Sequence, residues 1–117
     1  MQIQNPSDGR SAFIREPGID SEIVHVFGDI DLANKDEFER AIADAAQSGR
    51  GVTVNLTKCC YIDSTALSVL CKSHSGLGEK LGVVAAPGPV QRIFDISGVG
   101  EFLGVTYEAT SASSIVA

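Results

Sequence analysis

Between positions 52 and 78 the apolar residues change from the spacing of a strand to the spacing of a helix. In the segment 52–56 (VTVNL) apolar and polar residues alternate, which is the period of two expected for a strand with one buried face. Further along the chain the apolar residues recur at helical spacing: Ala66, Leu67, Val69, Leu70 and Leu77. The polar triplet Asp63-Ser64-Thr65 is therefore predicted to lie at the N-terminus of a helix.

This predicted helix N-terminus has two interpretations. The first backbone N–H groups of a helix lack partners inside it and make that end electropositive, so that a nearby anion is stabilised. The simpler interpretation is that Asp63 or Ser64 is only an N-cap, since caps prefer these residue types. No Glu or Gln follows three residues later, so the reciprocal capping box is absent.

The chain before this segment contains two predicted strands and one helix. Turn dipeptides surround a short strand over 11–15, and the apolar run 23–27 (IVHVF), ended by Gly28, predicts a central strand. His25 lies within that run and is interpreted as a hydrogen-bonded strand histidine. Asn34 is predicted to be the N-cap of a helix, with Glu37 three residues on as the reciprocal acid. Gly49 is predicted to end that helix in a left-handed conformation.

The chain after this segment predicts a further strand and helix. Residues 81–86 (LGVVAA) have the composition of a buried strand, and Pro89 suits the first position of a short helix that Gly98 ends. Residues 102–108 are expected to form a last edge strand. The tail 109–117 is left open between a short helix and a frayed end.

Strands that alternate with helices predict a single α/β domain over residues 1–117. We expect a mixed, mostly parallel sheet of four to five strands, with the helices mainly on one face. Loops that follow parallel strands lie together at the carboxyl ends of those strands. Asp31 is therefore expected close to Asp63 and Ser64.

Composition narrows the classes of partner. The 117 residues are 44% hydrophobic, which suits one modest core, and the net charge of −6 argues against nucleic acid or an anionic membrane as the main partner. The sequence has neither a signal-peptide pattern nor an apolar run long enough to insert into a membrane. We expect a cytoplasmic protein.

Cofactor chemistry and catalysis find little support in the sequence. Cys59, Cys60 and Cys71 are an odd number without metal-ligand spacing to histidine, which favours reduced thiols over disulfides or a metal site. Phosphate-binding loops, the dinucleotide fingerprint and the nucleophile elbow are also missing. We therefore expect no cofactor, no metal and no catalytic residues.

Three motifs together resemble the STAS domain family, and specifically its bacterial anti-sigma factor antagonists. They are the Gly28-x-Ile30-Asp31 turn, the helix start Asp63-Ser64-Thr65-Ala66-Leu67, and Val90-x-Arg92-Ile93-Phe94 leading to Gly98. The resemblance covers nearly the whole chain. The D-S-[ST]-G-L pattern is short, and it gains specificity from its place after an apolar strand with G-x-[IL]-D upstream.

The resemblance implies a protein that switches partners. By similarity, Ser64 is the phosphoacceptor of an anti-sigma factor that is also an ATP-dependent serine kinase, and a serine phosphatase reverses the modification. The unphosphorylated antagonist binds the anti-sigma factor and frees the sigma factor. Asp31, Asp63, Ser64, Thr65 and Ala66 would form the partner-binding surface.

The sequence departs from the family pattern at one position, because Ala66 stands where the family usually has glycine. Its methyl group favours the helix by up to about 1 kcal/mol, but it is expected to crowd a kinase that approaches Ser64. The alternative is therefore a non-phosphorylated STAS protein, either a scaffold of a stress-signalling complex or an accessory subunit of a lipid ABC transporter.

A third hypothesis is an enzyme or small-ligand module that holds a phosphate at the same helix N-terminus. It requires converging basic groups, but Lys58 and Lys72 are the only lysine or arginine residues within ten positions of Ser64.

Overall fold

A computed structural model describes residues 11–108 and contains five strands and four α-helices within them. The strands are β1 (Ala12–Pro17), β2 (Glu22–Ile30), β3 (Val52–Ile62), β4 (Leu81–Ala85) and β5 (Thr106–Tyr107). The helices are α1 (Lys35–Ala46), α2 (Ser64–Leu77), α3 (Pro89–Ser97) and α4 (Val99–Leu103). A 3₁₀ turn, Gly78–Lys80, joins α2 to β4.

The spatial order of the strands in the sheet is their order along the chain, β1-β2-β3-β4-β5. β1 is antiparallel to β2, and the pairs β2–β3, β3–β4 and β4–β5 are parallel. Each parallel crossover steps in the same direction, and right-handed crossovers then put the helices on one face of the sheet. The predicted α/β class, with a mixed and mostly parallel sheet, is confirmed.

The core lies between that face and the helices. Alternate residues of the central strands point into it, as the spacing predicted, and α1 contributes the fully buried Phe38, whose ring stacks on that of Phe13 with 5.5 Å between centroids. The largest fully buried side chains are Phe38, Phe94, Ile30, Leu56, Ile62, Leu70, Val24, Val26, Val52, Val54 and Val83.

The opposite face of the sheet carries a polar cluster around His25. Thr57 donates both its backbone N–H and its hydroxyl to Oδ1 of Asn55, so the amide nitrogen of Asn55 faces Nδ1 of His25 at 3.3 Å. Nδ1 of His25 therefore accepts, and Nε2 donates to Oε1 of Glu16 at 2.8 Å. The interpretation of His25 as a hydrogen-bonded strand histidine is confirmed.

β2 and β3 are longer than the apolar patterns indicated. β2 does not end at Gly28 but continues to Ile30, and β3 continues through the polar segment 57–61 to Ile62. The register between the two strands shifts at two points, between His25 and Phe27 and between Gly28 and Asp29. Such irregularities change which face a side chain occupies, so strict alternation is lost there.

The region after Gly98 differs from the expectation. Gly98 ends α3 with φ 76°, as predicted, but the chain then forms α4, and only Thr106–Tyr107 pair with β4. A helix of one turn and a two-residue strand leave too few residues for a recognisable period. The expectations for the tail 109–117 lie outside the described residues.

Both ends of the described chain lie at the edge formed by the carboxyl ends of the parallel strands. β1 is antiparallel, so it begins at this edge, and the Ser11 hydroxyl donates to the carbonyl of Asp29 at 2.7 Å. β5 is parallel and ends at this edge, where the Glu108 N–H donates to the carbonyl of Ala85 at 2.8 Å. We call this side of the sheet the carboxyl edge.

Candidate functional site

The loops after β2 and β3 meet at the carboxyl edge. Ile30 and Ile62 are register partners at the ends of these neighbouring parallel strands. The N–H of Asp63 donates to the carbonyl of Ile30 at 3.3 Å, which joins the two strand ends. Asp31 and the start of α2 are therefore adjacent in space, as the parallel topology predicted.

Asp63 is the N-cap of α2. Its Oδ1 accepts from the N–H of Thr65 at 3.0 Å and of Ala66 at 3.2 Å, and from the Thr65 hydroxyl. Partial desolvation acts to raise the pKa of the Asp63 carboxyl, but the hydrogen bonds from Thr65 and Ala66 outweigh it and the pKa is lowered. Asp63 thus uses two of the free N–H groups of the first turn, and one of the two N-cap candidates in the sequence is the actual cap.

The side chains of the three residues after Asp63 differ in their exposure to solvent. Ser64 is exposed, and its hydroxyl makes no hydrogen bond to another of residues 11–108. Thr65 is half-buried and its hydroxyl is held by Asp63. Ala66 is fully buried in the core, so its methyl group points away from anything that approaches Ser64. The crowding expected from Ala66 does not arise from this side-chain position.

Replacing Asp63 with alanine is expected to cost about 1 kcal/mol of the free energy of unfolding at neutral pH, since two N–H groups lose their cap. Because the pKa of Asp63 is lowered in the folded state, its contribution is present above the unfolded pKa of about 3.9 and is lost as the pH falls through the folded value. Urea unfolding at pH 7 and pH 3 measures this difference.

Asp63→Asn is the control for this substitution, because an asparagine oxygen also caps a helix. It is expected to stay within a few tenths of a kcal/mol of wild type at pH 7. An Asp63→Ala defect that is equally large at pH 3 would contradict an ionised cap.

The loop that carries Asp31 is held by Asn34. The Asn34 amide donates to the carbonyl of Asp29 at 2.9 Å, and its Oδ1 accepts from the N–H of Asp31 at 2.9 Å. Oδ1 of Asp31 in turn accepts from the N–H of Ala33 at 3.0 Å. Asn34 does occupy the N-cap position of α1. Its side chain, however, forms hydrogen bonds within the loop and none to the first turn of the helix. The predicted reciprocal cap with Glu37 is therefore wrong.

Gly28 is needed where β2 approaches the start of the described chain. Its φ is +81°, and a Cβ at this position would lie 3.0 Å from Cα of Ser11. Any other residue would be disfavoured at this φ, and its Cβ would also be too close to Ser11. The glycine of the Gly28-x-Ile30-Asp31 motif therefore lets Ser11 lie against Asp29 and shapes the strand end that leads to Asp31.

A shallow groove between α1 and α2 begins beside Thr65. Its lining residues are Lys35, Glu39, Thr65, Ser68, Val69 and Lys72. Lys72 pairs with Glu39 at 2.7 Å and Lys35 with Asp36 at 3.0 Å, so both lysines already have carboxylate partners. Lys35 was not anticipated because it is distant in sequence from Ser64. This groove does not supply the converging free cations that a phosphate-binding enzyme would need.

The cysteines are free thiols in this structure. Cys60 is exposed, while burial raises the pKa of Cys59 to about 12, which keeps that thiol protonated at ordinary pH. Within residues 11–108 no group of three or more His, Cys, Asp or Glu side chains is arranged to hold a metal ion.

Two exposed apolar side chains at the carboxyl edge were missed by the sequence analysis. Leu32 directly follows Asp31 and is 69% exposed, and Tyr61 lies two residues before Asp63 and is 48% exposed. The sequence did contain an indication of each exposed residue. Leu32 is an apolar residue inside a polar turn, and Tyr61 directly precedes Ile62, which points into the core. Strand alternation did not separate Tyr61 from the core because of the register shifts in β3.

Among the helices of residues 11–108, none is both long and apolar enough to span a bilayer.

Comparison with known proteins gives a family match and several structural neighbours. The family model described as "Mlab, STAS domain" matches residues 17–105. A search of curated protein sequences gave no match. Among solved structures, an anti-sigma factor antagonist from Mycobacterium paratuberculosis is similar with a TM-score of 0.77 and 20% identity, covering 97% of both chains.

Two further structures have the same fold. The anti-sigma factor antagonist SpoIIAA in its unphosphorylated form is similar with a TM-score of 0.64 and 18% identity, covering 89% of this chain and 93% of the other. A proposed anti-sigma factor antagonist from Thermotoga maritima gives a TM-score of 0.66 and 19% identity, covering 87% and 91% of the two chains. At these identities the likeness establishes a common fold.

Proposed function

Because this chain belongs to the STAS domain family, we propose that it is an anti-sigma factor antagonist. Its unphosphorylated form binds an anti-sigma factor with ATP-dependent serine kinase activity and thereby releases the sigma factor. Phosphorylation of Ser64 ends this binding, and a serine phosphatase restores it. In this role the protein is a cytoplasmic substrate and switch with no catalytic activity of its own.

The exposed hydroxyl of Ser64 is the observation that carries the proposal. A kinase needs a hydroxyl that it can reach and that is not already held by the protein. Thr65, the neighbouring hydroxyl, is half-buried and bonded to Asp63, whereas Ser64 is exposed at the first residue of α2. The folds of the antagonists compared above support the same role.

The remaining site residues have distinct parts in this proposal. Asp31 contributes to the partner-binding surface from the loop adjacent to α2, and Asp63 fixes the helix start that presents Ser64. Thr65 borders the groove between α1 and α2. Ala66 belongs to the site through its backbone N–H, which donates a hydrogen bond to Oδ1 of Asp63. Its methyl group packs in the core.

A second candidate is a STAS protein that works without phosphorylation, as a scaffold of a stress-signalling complex or an accessory subunit of a lipid ABC transporter. This candidate is supported by the matching family model, because its description names Mlab and not an anti-sigma factor antagonist.

The two candidates are separated by a labelling experiment. The ATPase-type anti-sigma factor kinases of the source organism are purified one by one and incubated with labelled ATP and either wild type, Ser64→Ala or Ser68→Ala. Ser68 is a matched control because it is an exposed serine one turn along the same helix. We expect label in wild type and Ser68→Ala and none in Ser64→Ala.

Equal labelling of Ser64→Ala would contradict Ser64 as the phosphoacceptor. If wild type neither binds nor is labelled by any of these kinases, the antagonist function is wrong and the second candidate replaces it.

A further inference from the structure

Large apolar side chains are exposed to solvent at three separate parts of the described surface, and one of them is Ile19 in the turn between β1 and β2. Leu32 and Tyr61, 69% and 48% exposed, lie at the carboxyl edge. Ile96 and Phe102, 80% and 58% exposed, lie on α3 and α4. Only the first pair is close to Ser64, and we call Leu32 and Tyr61 the edge pair.

Strand register places the edge pair beside Ser64. Tyr61 pairs with Asp29 in the sheet, one step before the Ile30–Ile62 pair that leads into the two loops. Neighbouring strands are about 4.8 Å apart. Leu32 is two residues beyond Ile30, and Ser64 is two residues beyond Ile62. The backbone positions of the edge pair and of the serine therefore lie within one small region at the carboxyl edge.

The loop that presents Leu32 is already ordered in the unbound protein. Asn34 ties Asp29 to Asp31 through two hydrogen bonds of 2.9 Å, and the Asn34 N–H also donates to the carbonyl of Asp31 at 3.2 Å. The Leu32 side chain is exposed to solvent and does not pack on the core. A pre-ordered loop loses little conformational freedom when a partner binds it, which favours affinity.

Three carboxylates border the edge pair, and the cations nearest to it in the sequence are Lys35 and Lys58. Asp29 is exposed next to Tyr61, Asp31 precedes Leu32, and Asp63 precedes Ser64. Lys35, the first residue of α1, is paired with Asp36. An apolar contact bordered by carboxylates matches a partner surface with an apolar hollow bordered by basic groups.

We propose that Leu32 and Tyr61 are the apolar anchors through which the protein binds its anti-sigma factor, and that this partner presents an apolar hollow bordered by lysine or arginine. The proposal rests on the proposed antagonist function and adds the residues and the partner chemistry. Asn34 acts as a positioning residue, because its hydrogen bonds hold the turn that carries Leu32.

The test measures the affinity of unphosphorylated variants for the purified anti-sigma factor kinase that binds wild type. Leu32→Ala and Tyr61→Ala are each expected to weaken binding about tenfold to a hundredfold, as for central aromatic and aliphatic anchors of other interfaces. Tyr61→Phe keeps the ring and is expected to bind within a few-fold of wild type. Tyr61→Thr is a second truncation that keeps a residue suited to a strand.

Ile96→Ala and Phe102→Ala are the matched controls, because they truncate apolar residues that are somewhat more exposed than the edge pair and lie on α3 and α4. Phe102 contacts the ring of His74 with 4.9 Å between centroids. His74 is ten residues after Ser64 on α2, which is about 15 Å along the helix. Both controls are expected to bind like wild type.

Thermal unfolding of each variant confirms that it is folded before its affinity is interpreted. If Leu32→Ala and both Tyr61 truncations bind as tightly as the two controls while wild type binds, the inference is overturned and the antagonist function stands. If wild type binds no anti-sigma factor kinase, the antagonist function itself is overturned, and the inference with it.

Discussion

The protein phosphorylated on Ser64 is expected to bind its anti-sigma factor up to about a thousandfold more weakly than the unmodified protein. A phosphoserine brings about −1.5 to −2 charges at neutral pH. The expected loss requires that the part of the partner that directly faces Ser64 is acidic, in contrast to the basic border proposed for the hollow that receives Leu32 and Tyr61. Like charges about 4 Å apart at an effective dielectric near 20 repel by about 4 kcal/mol, and each 1.4 kcal/mol changes affinity about tenfold. Screening at this exposed position makes the full thousandfold an upper limit.

The structure sharpens the reason for this loss. Asp63 already occupies the N–H groups of Thr65 and Ala66, so a phosphate on Ser64 gains the helix dipole but few free donors. It also stands beside the carboxylates of Asp31 and Asp63. The fold itself is expected to remain intact, because Ser64 is exposed and lies outside the core.

Affinity measurements on Ser64→Asp, Ser64→Ala and the phosphorylated protein test this prediction, with circular dichroism to verify the fold. Ser64→Asp carries one charge and is expected to fall between the other two. Ser68→Asp is the control, because it places the same charge one turn further along α2 and is expected to weaken binding less. The weakening should also shrink at high salt. Equal affinities for Ser64→Asp and Ser64→Ala would show that charge at this serine is not the switch.

Replacing Phe38 with alanine is expected to cost about 3–5 kcal/mol of the free energy of unfolding. Phe38 is fully buried, and its ring stacks on Phe13 between α1 and β1. A loss of this size is a large part of the total stability of a small domain, which is about 5–15 kcal/mol. Since α1 directly follows the Asp31 loop, partial detachment of the helix would also disturb the site.

Urea unfolding of Phe38→Ala, Phe38→Leu and Phe102→Ala measures this effect. Phe38→Leu leaves a smaller cavity and is expected to lose less than Phe38→Ala. Phe102 is 58% exposed, so its truncation removes little buried area and is expected to cost less than about 1 kcal/mol. A loss below about 1 kcal/mol for Phe38→Ala would mean that α1 does not pack on the sheet as described.

Regular periodicity was enough to predict most of the fold. The alternation in 52–56, the helical spacing in α1 and α2, and Pro89 with Gly98 around α3 each correspond to an element in the structure. The approximate position of Asp31 next to Asp63 followed from parallel topology alone. The family resemblance added Ser64 as a candidate phosphoacceptor, which stays a prediction.

The features that sequence analysis missed depend on tertiary contacts or irregular backbone. Asn34 is a residue type that often caps helices, but its side chain forms hydrogen bonds with the backbone of Asp29 and Asp31 across the turn instead. The register shifts in β2 and β3 conceal which face Tyr61 occupies. The burial of Ala66 depends on how α2 is rotated against the sheet, which the sequence pattern alone does not give.

The position of Ser11 and Glu108 at the carboxyl edge has a practical consequence for every binding experiment proposed above. Any affinity tag, fluorophore or fused domain attached before Ser11 or after Glu108 enters the molecule on the side that carries Ser64, Leu32 and Tyr61. Such an attachment therefore begins on the side of the sheet where we propose that the partner docks. The turn 18–21 between β1 and β2 lies at the other end of the sheet and exposes Asp20. A dye could instead be coupled through Asp20→Cys, with the exposed Cys60 changed to serine so that it does not react. The dye would then lie at the end of the sheet opposite the proposed binding surface.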